Sequence, residues 1–424
     1  MLPDVTPAGF SRDEIAARFI RYASVNTQAN PDSESCPSSP GQLILGDILV
    51  EDLKRMGIAD AVRDEHGYVY ATLPSNVNQP VPVVCLCAHL DTSPDCPGGP
   101  VKPVVHRSYP GGAIILPGAP AQVIDPAEHP ALEAQVGYDI ITSDGTTLLG
   151  ADDKAGITVI MEAVRYLLLH PEVLRGKVRI LFTPDEEIGR GVDRVDLQRL
   201  AADVAYTLDG DTVGHIDAET FSADEMTVEF HGRSAHPGFA FGKMVNAQKV
   251  AADFISRLPD HLSPEFTQGR EGFVHPVDVR GDADVCRVTL IIRDFETTRL
   301  TILEETVREL AALAVDQFPG SAFRTSVRAQ YRNMKDVLDR YPNVVALAAE
   351  AVRRAGVEPV ITAIRGGTDG SRLSHMGLPC PNIFTGEHAF HSRTEWVSVG
   401  DMQKSAAAVV HLIHLWSASI GDMS

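Results

Sequence analysis

The sequence predicts an α/β protein: a mainly parallel sheet with helices on both faces, interrupted by an inserted α+β domain. Three observations predict it. Short, Val-rich apolar runs alternate with amphipathic stretches through the first half of the chain and again after Asn333, the pattern of strands buried on both faces and of helices that cover them. Past Ala218 the pattern changes: Met226, Val228 and Phe230 alternate with polar residues, which marks a strand with one solvated face. The length, 424 residues, corresponds to two or three domains at about 150 residues each.

Ser11-Arg-Asp-Glu14 is a capping box, and Ile15, Phe19 and Tyr22 follow at helical spacing. A second helix is expected over 42–56, closed by Gly57. The apolar run at 81–88 is too brief for an ordinary helix and reads as a buried strand ending at His89. The segment 95–137 is dense in Pro and Gly, and is either a wandering surface loop or a small excursion beside His89. Then come a short strand at 140–142, the turn LLGADDKAG, and a helix through Ile157, Met161, Val164 and Leu168. Strand-like runs at 177–184 and 204–209 are separated by a polar stretch that reads as helical. From 224 the order is strand, helix (245–258), strand (273–280), strand (285–293), helix (298–317) and strand (322–330), a split β-α-β, ferredoxin-like sequence of elements. A helix at 343–355, a strand at 359–364, a Gly-rich turn with a helix after it, a strand at 381–384 and a last helix at 400–416 complete the chain. The expected partition is 1–219 and 334–424 for the α/β domain and 220–333 for the insertion.

A formal net charge of −20 repels nucleic acid and anionic membrane, so neither is an expected partner. No run approaches the roughly 20 apolar residues of a membrane span, and the start MLPDVTPAGFSRDE shows no basic segment followed by an apolar one. A cytoplasmic location is therefore the default expectation. The six cysteines suggest neither a disulfide framework nor a zinc knuckle, and Cys85 and Cys87 read as one face of a buried strand.

Chemistry concentrates just past the predicted strands. His89-Leu-Asp91, Asp185-Glu186-Glu187, Asp209 and the run Glu387-His388-Ala-Phe-His391 each follow one, and the LLGADDKAG turn adds Asp152 and Asp153. In a parallel sheet these ends share one edge, where ligands bind. Singly, each motif has an ordinary reading: a core His bonded to an Asp, a solvated acidic turn, a helix cap. Together they bring carboxylates into one crevice, where cations must offset their repulsion. Imidazole and carboxylate ligands without thiolate suit zinc, manganese or cobalt in an open, catalytic site.

The motifs AHLDTSPD (88–95), LLGADDKAG (148–156), FTPDEEIG (182–189), TLDG (207–210), RSAHPG (233–238), IIRDF (291–295), IRGGTDGSRLS (364–374) and PNIFTGEHAFHS (381–392), with EGF at 271–273, occur in this order along nearly the whole chain. The set resembles the dinuclear-zinc peptidase family that contains aminoacylase and carnosinase-type dipeptidases, and within it the tripeptide-aminopeptidase branch. The resemblance implies a zinc-exopeptidase-like fold in which the insertion is a lid. It implies two divalent ions, zinc first with cobalt or manganese as alternatives. Asp152 would bridge them, His89 and Asp209 would complete one site, and Glu187 and His391 the other. Glu186 would be the general base, Asp91 would orient His89, and the Asp152–Asp153 peptide would be cis. His388 competes with His391; the family places its histidine before a short gap and a Glu, here Glu395, which favours His391.

For substrate, the resemblance implies that His236 of the insertion stabilises the oxyanion and that Arg293 binds the peptide's terminal carboxylate, with help from Asn246. The bland alternatives are a surface histidine, a salt-bridge partner of Asp294 and a helix-end polar residue. The Gly366-Gly367 loop lacks the lysine and spacing of a phosphate cradle and reads as backbone close to a peptide. The expected function is thus a metal-dependent aminopeptidase that releases the N-terminal residue of short peptides, tripeptides foremost. A dipeptidase or N-acyl amino acid deacylase of the same family is the alternative, and a silent metal- or peptide-binding protein the remote one. A homodimer formed through the insertion is one arrangement the chain admits.

Overall fold

The apolar runs around Val84, Val178, Val204 and Ile383 become the centre of an eight-stranded sheet in the computed structural model, which describes residues 5–418. Its strands lie in the order Val62–Arg63, Val69–Leu73, Val178–Thr183, Val84–His89, Val204–Gly210, Asn382–Phe384, His215–Thr220, Val360–Ile364. The middle four are parallel, whereas Val69–Leu73 and His215–Thr220 join antiparallel on either side. Every residue of Val84–His89 is buried, as a strand covered on both faces requires.

Successive side chains of a strand point to opposite faces, and both faces here meet helices. Cys85, Cys87 and Ala205 pack with Leu373, from the helix Asp369–His375. On the other face the Tyr206 hydroxyl donates to the Val344 carbonyl of helix Pro342–Arg354 and accepts from the Trp416 indole of helix Val399–Ala418. All six cysteines are free thiols, and Cys85 and Cys87 are fully buried in this core.

Most helices form where their spacing places them. Arg12–Ala23 is capped by the Ser11 side chain accepting from the Glu14 amide, and Pro40–Arg55 begins with proline at its first position, where a missing N–H costs nothing. The polar stretch after Thr183 differs from expectation. It holds only a single 3-10 turn, Glu186–Ile188, and one short helix, Leu197–Leu200. Asp185 adopts φ 58° and Gly189 φ 71°, and these left-handed residues stop helical propagation.

The segment 95–137 is an excursion with its own small core. Val104–His106 joins Ile140–Thr142, Trp396–Ser398 and Glu387–His388 in a second sheet, Ile114–Ile115 and Val123–Ile124 pair, and Tyr109, Ile114, Leu116, Ile124 and Leu132 pack with Ile140 and Trp396.

The described residues divide into two compact units: 5–218 with 336–362 and 368–418, and 219–335 with 363–367. The second unit holds an antiparallel sheet ordered Phe273–Gly281, Val285–Asp294, Ser222–His231, Ala322–Tyr331. Helices Ala247–Arg257 and Thr297–Gln317 contribute Val250, Phe254, Leu300 and Val307 to a core with Met226, Val228, Phe230 and Val288. Its strands bury alternate residues, the period-two pattern of a sheet covered on one side only. Among the described residues no helix is long and apolar enough to cross a membrane.

Candidate metal centre

His89 ends its strand and Asp209 stands near the end of the neighbouring one. Asp152 arrives from the start of helix Ala151–Leu169, whose first residues are not helical; the Asp152–Asp153 peptide is cis. That helix can lie close to strand Val204–Gly210 only because residue 156 is glycine: a Cβ there would stand 1.7 Å from the Leu208 carbonyl oxygen.

The side chains meet around Asp152. His89 Nε2 lies 2.7 Å from Asp152 Oδ1 and 3.6 Å from Asp209 Oδ1. On the other side His391 Nε2 lies 2.8 Å from Glu187 Oε2 and 3.5 Å from Asp152 Oδ2. Asp91 is fully buried, and its two carboxylate oxygens accept the backbone N–H groups of Glu186 and Glu187. Its Oδ1 is 3.5 Å from His89 Nδ1, while its own carbonyl is nearer, at 3.1 Å. Asp91 thus positions the acidic turn at least as much as the imidazole. Glu186, partly accessible, makes no hydrogen bond or ion pair with its side chain among the described residues. His388 points elsewhere: it is buried and stacks on Trp396 with ring centroids 4.1 Å apart.

Several further residues that the sequence assigns neither to a metal nor to catalysis are built into this centre. Asp95 Oδ2 lies 3.0 Å from His391 Nδ1, so a carboxylate backs this histidine as Asp91 backs His89. Its signal was the last residue of AHLDTSPD. Glu395 accepts the backbone N–H groups of Leu149, Gly150 and Asp152, holding the turn that presents Asp152. Asp153 accepts the amides of His89 and Gly156. Glu387 is buried beside Asp152 and Asp209.

So many buried acids raise one another's pKa. Burial, then the Asp152 charge, pushes Glu187 up to about 8 and Asp209 up to about 7. Burial likewise holds Glu186 well above the ordinary carboxylate range. Asp152 goes the other way: burial opposes its ionisation, but His391 and His89 outweigh that and hold it below the usual value. Burial would lower His89, yet Asp152, Asp209 and Asp91 reverse the sign.

The donors fit a pair of divalent cations. Glu187 Oε1 and both Glu387 oxygens are buried with no hydrogen-bond partner, although buried polar groups are almost always paired. One ligand atom from each of His89, Asp152 and Glu187, from each of His89, Asp153 and Asp209, and from each of Asp152, Asp209 and Glu387 falls within 4.8 Å of the others in its group. Imidazole and carboxylate suit a borderline or hard ion rather than one that wants thiolate.

The expected substrate residues lie in the second unit. His236 is exposed in a turn, its Nδ1 accepting the Gly238 amide at 3.2 Å. Asn246 caps helix Ala247–Arg257 by accepting the Gln248 amide. Arg293 is not the partner of Asp294, which pairs with Arg299 at 3.0 Å. Its guanidinium carbon instead lies 5.8 Å from the ring centroids of Phe273 and Tyr331, and its Nε is buried without a partner. The Gly366 carbonyl accepts the Phe221 amide, and Gly367 packs against the Tyr331 ring.

Comparison with known proteins agrees with this architecture. Residues 142–415 match the model of peptidase family M20/M25/M40. Peptidase T of Geobacillus sp. (strain WCH70) is 44% identical over 405 residues, 96% of this chain and 99% of the relative. Among solved structures, aminopeptidase PepT from Bacillus cereus superposes with a TM-score of 0.73 at 23% identity, covering 97% of this chain and all of that one. The YXEP protein of Bacillus subtilis, described as a dinuclear metal binding peptidase, superposes with a TM-score of 0.62 at 14% identity, covering 96% of this chain and all of that one. By its sequence and by the centre assembled at the strand ends, this chain belongs to peptidase family M20/M25/M40.

Proposed function

We propose that the protein is a metal-dependent aminopeptidase that releases the N-terminal residue from tripeptides. The observation that carries this reading is the convergence of His89, Asp152, Glu187, Asp209 and His391 around one carboxylate, in a chain 44% identical to a peptidase T. In the proposed assignment His89 and Asp209 would hold one ion, Glu187 and His391 would hold the other, and Asp152 would serve both. Zinc is the first candidate. Such a pair, when bound, supplies Lewis acidity that lowers the pKa of water and polarises the scissile carbonyl.

The remaining work falls to side chains. Glu186 accepts the proton of the attacking water and returns it to the departing amine nitrogen as the C–N bond breaks. Burial holds its pKa well above the ordinary carboxylate range, which favours its taking a proton from water. Asp91 fixes Glu186 and Glu187 through their amides, so that one carboxylate binds metal while its neighbour faces water. His236 would donate to the developing oxyanion. Arg293, with a buried and unpartnered Nε, would receive the terminal carboxylate.

A substrate panel tests this reading. Metal-loaded protein should cleave tripeptides at the first bond in preference to dipeptides, tetrapeptides and N-acyl amino acids. Chelation should abolish the activity and zinc restore it. Preference for dipeptides or N-acyl amino acids would assign the chain to another branch of the family.

A further inference from the structure

Glu387 stands just past strand Asn382–Phe384, paired through Glu387–His388 with Trp396–Ser398. Its side chain is 0% exposed, and neither carboxylate oxygen has a hydrogen-bond partner among the described residues. A desolvated carboxylate without a donor is among the costliest arrangements in a protein interior. Its surroundings aggravate the cost, since after burial the strongest influences on it are the charges of Asp152, Asp153, Asp209 and Glu395. One oxygen of Glu387 nevertheless falls within 4.8 Å of ligand atoms of Asp152 and Asp209, so three carboxylates from three different chain segments face one point.

We infer that Glu387 is a further ligand of the metal centre, closing with Asp152 and Asp209 on the ion that His89 also holds. The inference rests on the dinuclear reading above and adds a residue to it. With Glu387 the first coordination shell contains four carboxylates, Asp152, Glu187, Asp209 and Glu387, whose charges balance two divalent ions. The added oxygen makes one of the two positions harder than two carboxylates and an imidazole alone would. Carboxylate-rich positions suit manganese better than do positions dominated by softer donors, so Glu387 should raise the affinity for manganese more than that for zinc.

Calorimetric titration of the chelator-stripped, full-length protein with Mn²⁺ and Zn²⁺ tests this, on the parent chain and on Glu387→Gln, which keeps the shape and removes the charge. Two ions should bind the parent chain. In the variant one of the two sites should weaken about tenfold or more, the size of effect expected even for residues that only support a ligand, and by a larger factor for Mn²⁺ than for Zn²⁺. The metal-free variant should melt no lower than the metal-free parent, because neither oxygen of Glu387 has a hydrogen-bond partner to lose among the described residues. Unchanged affinities would show Glu387 to be a protonated buried acid and overturn the inference while leaving the two-ion reading intact. Weakened binding accompanied by a lower metal-free melting temperature would assign a structural role and overturn it as well. A parent chain that binds no ion pair would remove the dinuclear reading itself.

Discussion

Glu186 and Glu187 leave the same 3-10 turn and end in different surroundings. Glu187 Oε2 sits 2.8 Å from His391, whereas Glu186 has no side-chain partner among the described residues. Replacing Glu186 by Gln should therefore lower turnover by about 10²–10⁴-fold, the range for loss of a general base. Metal content by mass spectrometry should stay at two ions per chain. Activity retained in that variant would contradict the role. Asp91→Asn should act differently. It replaces one of the oxygens that receive the Glu186 and Glu187 amides with a donor, so metal affinity and turnover should fall together, each about 10–100-fold as for other supporting carboxylates. A loss of turnover alone, at unchanged metal affinity, would contradict that account. At this scale the residue types are readable from the chain, but their directions are not. His388 and His391 are rivals by spacing alone. They separate in three dimensions because His388 lies in a strand and stacks on Trp396, whereas His391, at φ 57°, turns toward Glu187. Asp95 is visible as the last residue of AHLDTSPD, but its partner is not, because the contact with His391 spans almost three hundred residues.

Elements with strong periodicity were legible to within a few residues. The buried parallel strands announce themselves by Val-rich runs and the insertion by period-two alternation, since burial on two faces or one leaves different sequence patterns. The stretch after Thr183 was not legible, because its polar residues suit a helix while left-handed turns at Asp185 and Gly189 interrupt one. The segment 95–137 reads equally as a loop or as a small excursion, and its short strands escape because they pair with partners far along the chain, Val104–His106 with Ile140–Thr142 and that strand with Trp396–Ser398. The approach of helix Ala151–Leu169 to strand Val204–Gly210 gives an element-scale prediction. Gly156→Ala would set a methyl group 1.7 Å from the Leu208 carbonyl oxygen and force the two apart. Overpacking of this kind costs about 1–3 kcal/mol, readable as a lower denaturant midpoint. Metal affinity should fall too, since the helix carries Asp152 and the strand Asp209. An unchanged midpoint would show that the contact is not tight.

For the whole molecule, the acid cluster couples stability to pH when metal is absent. Burial raises Asp209 from 3.8 to about 7 and Glu187 from 4.5 to about 8. Between those values the unfolded chain releases protons that the folded one retains, so stability falls as pH rises through that window. His391 adds the same sign, because its folded value, raised to about 12 by Asp152 and Glu187 against the effect of burial, keeps a proton that the unfolded chain loses near 6.5. Metal-stripped protein should thus melt at progressively lower temperature from about pH 5 to about pH 8. Metal-loaded protein should not, because ions bound only by the folded state stabilise it by mass action. Parallel melting curves with and without metal would contradict this coupling. The account stands most directly on the ion pair itself, which anomalous diffraction from zinc-soaked crystals would reveal. The predicted result is two peaks about 3.5–4 Å apart, the spacing of two-metal sites, both in contact with Asp152, one beside His89 and Asp209 and the other beside Glu187 and His391. A single peak, or none within reach of these side chains, would contradict it.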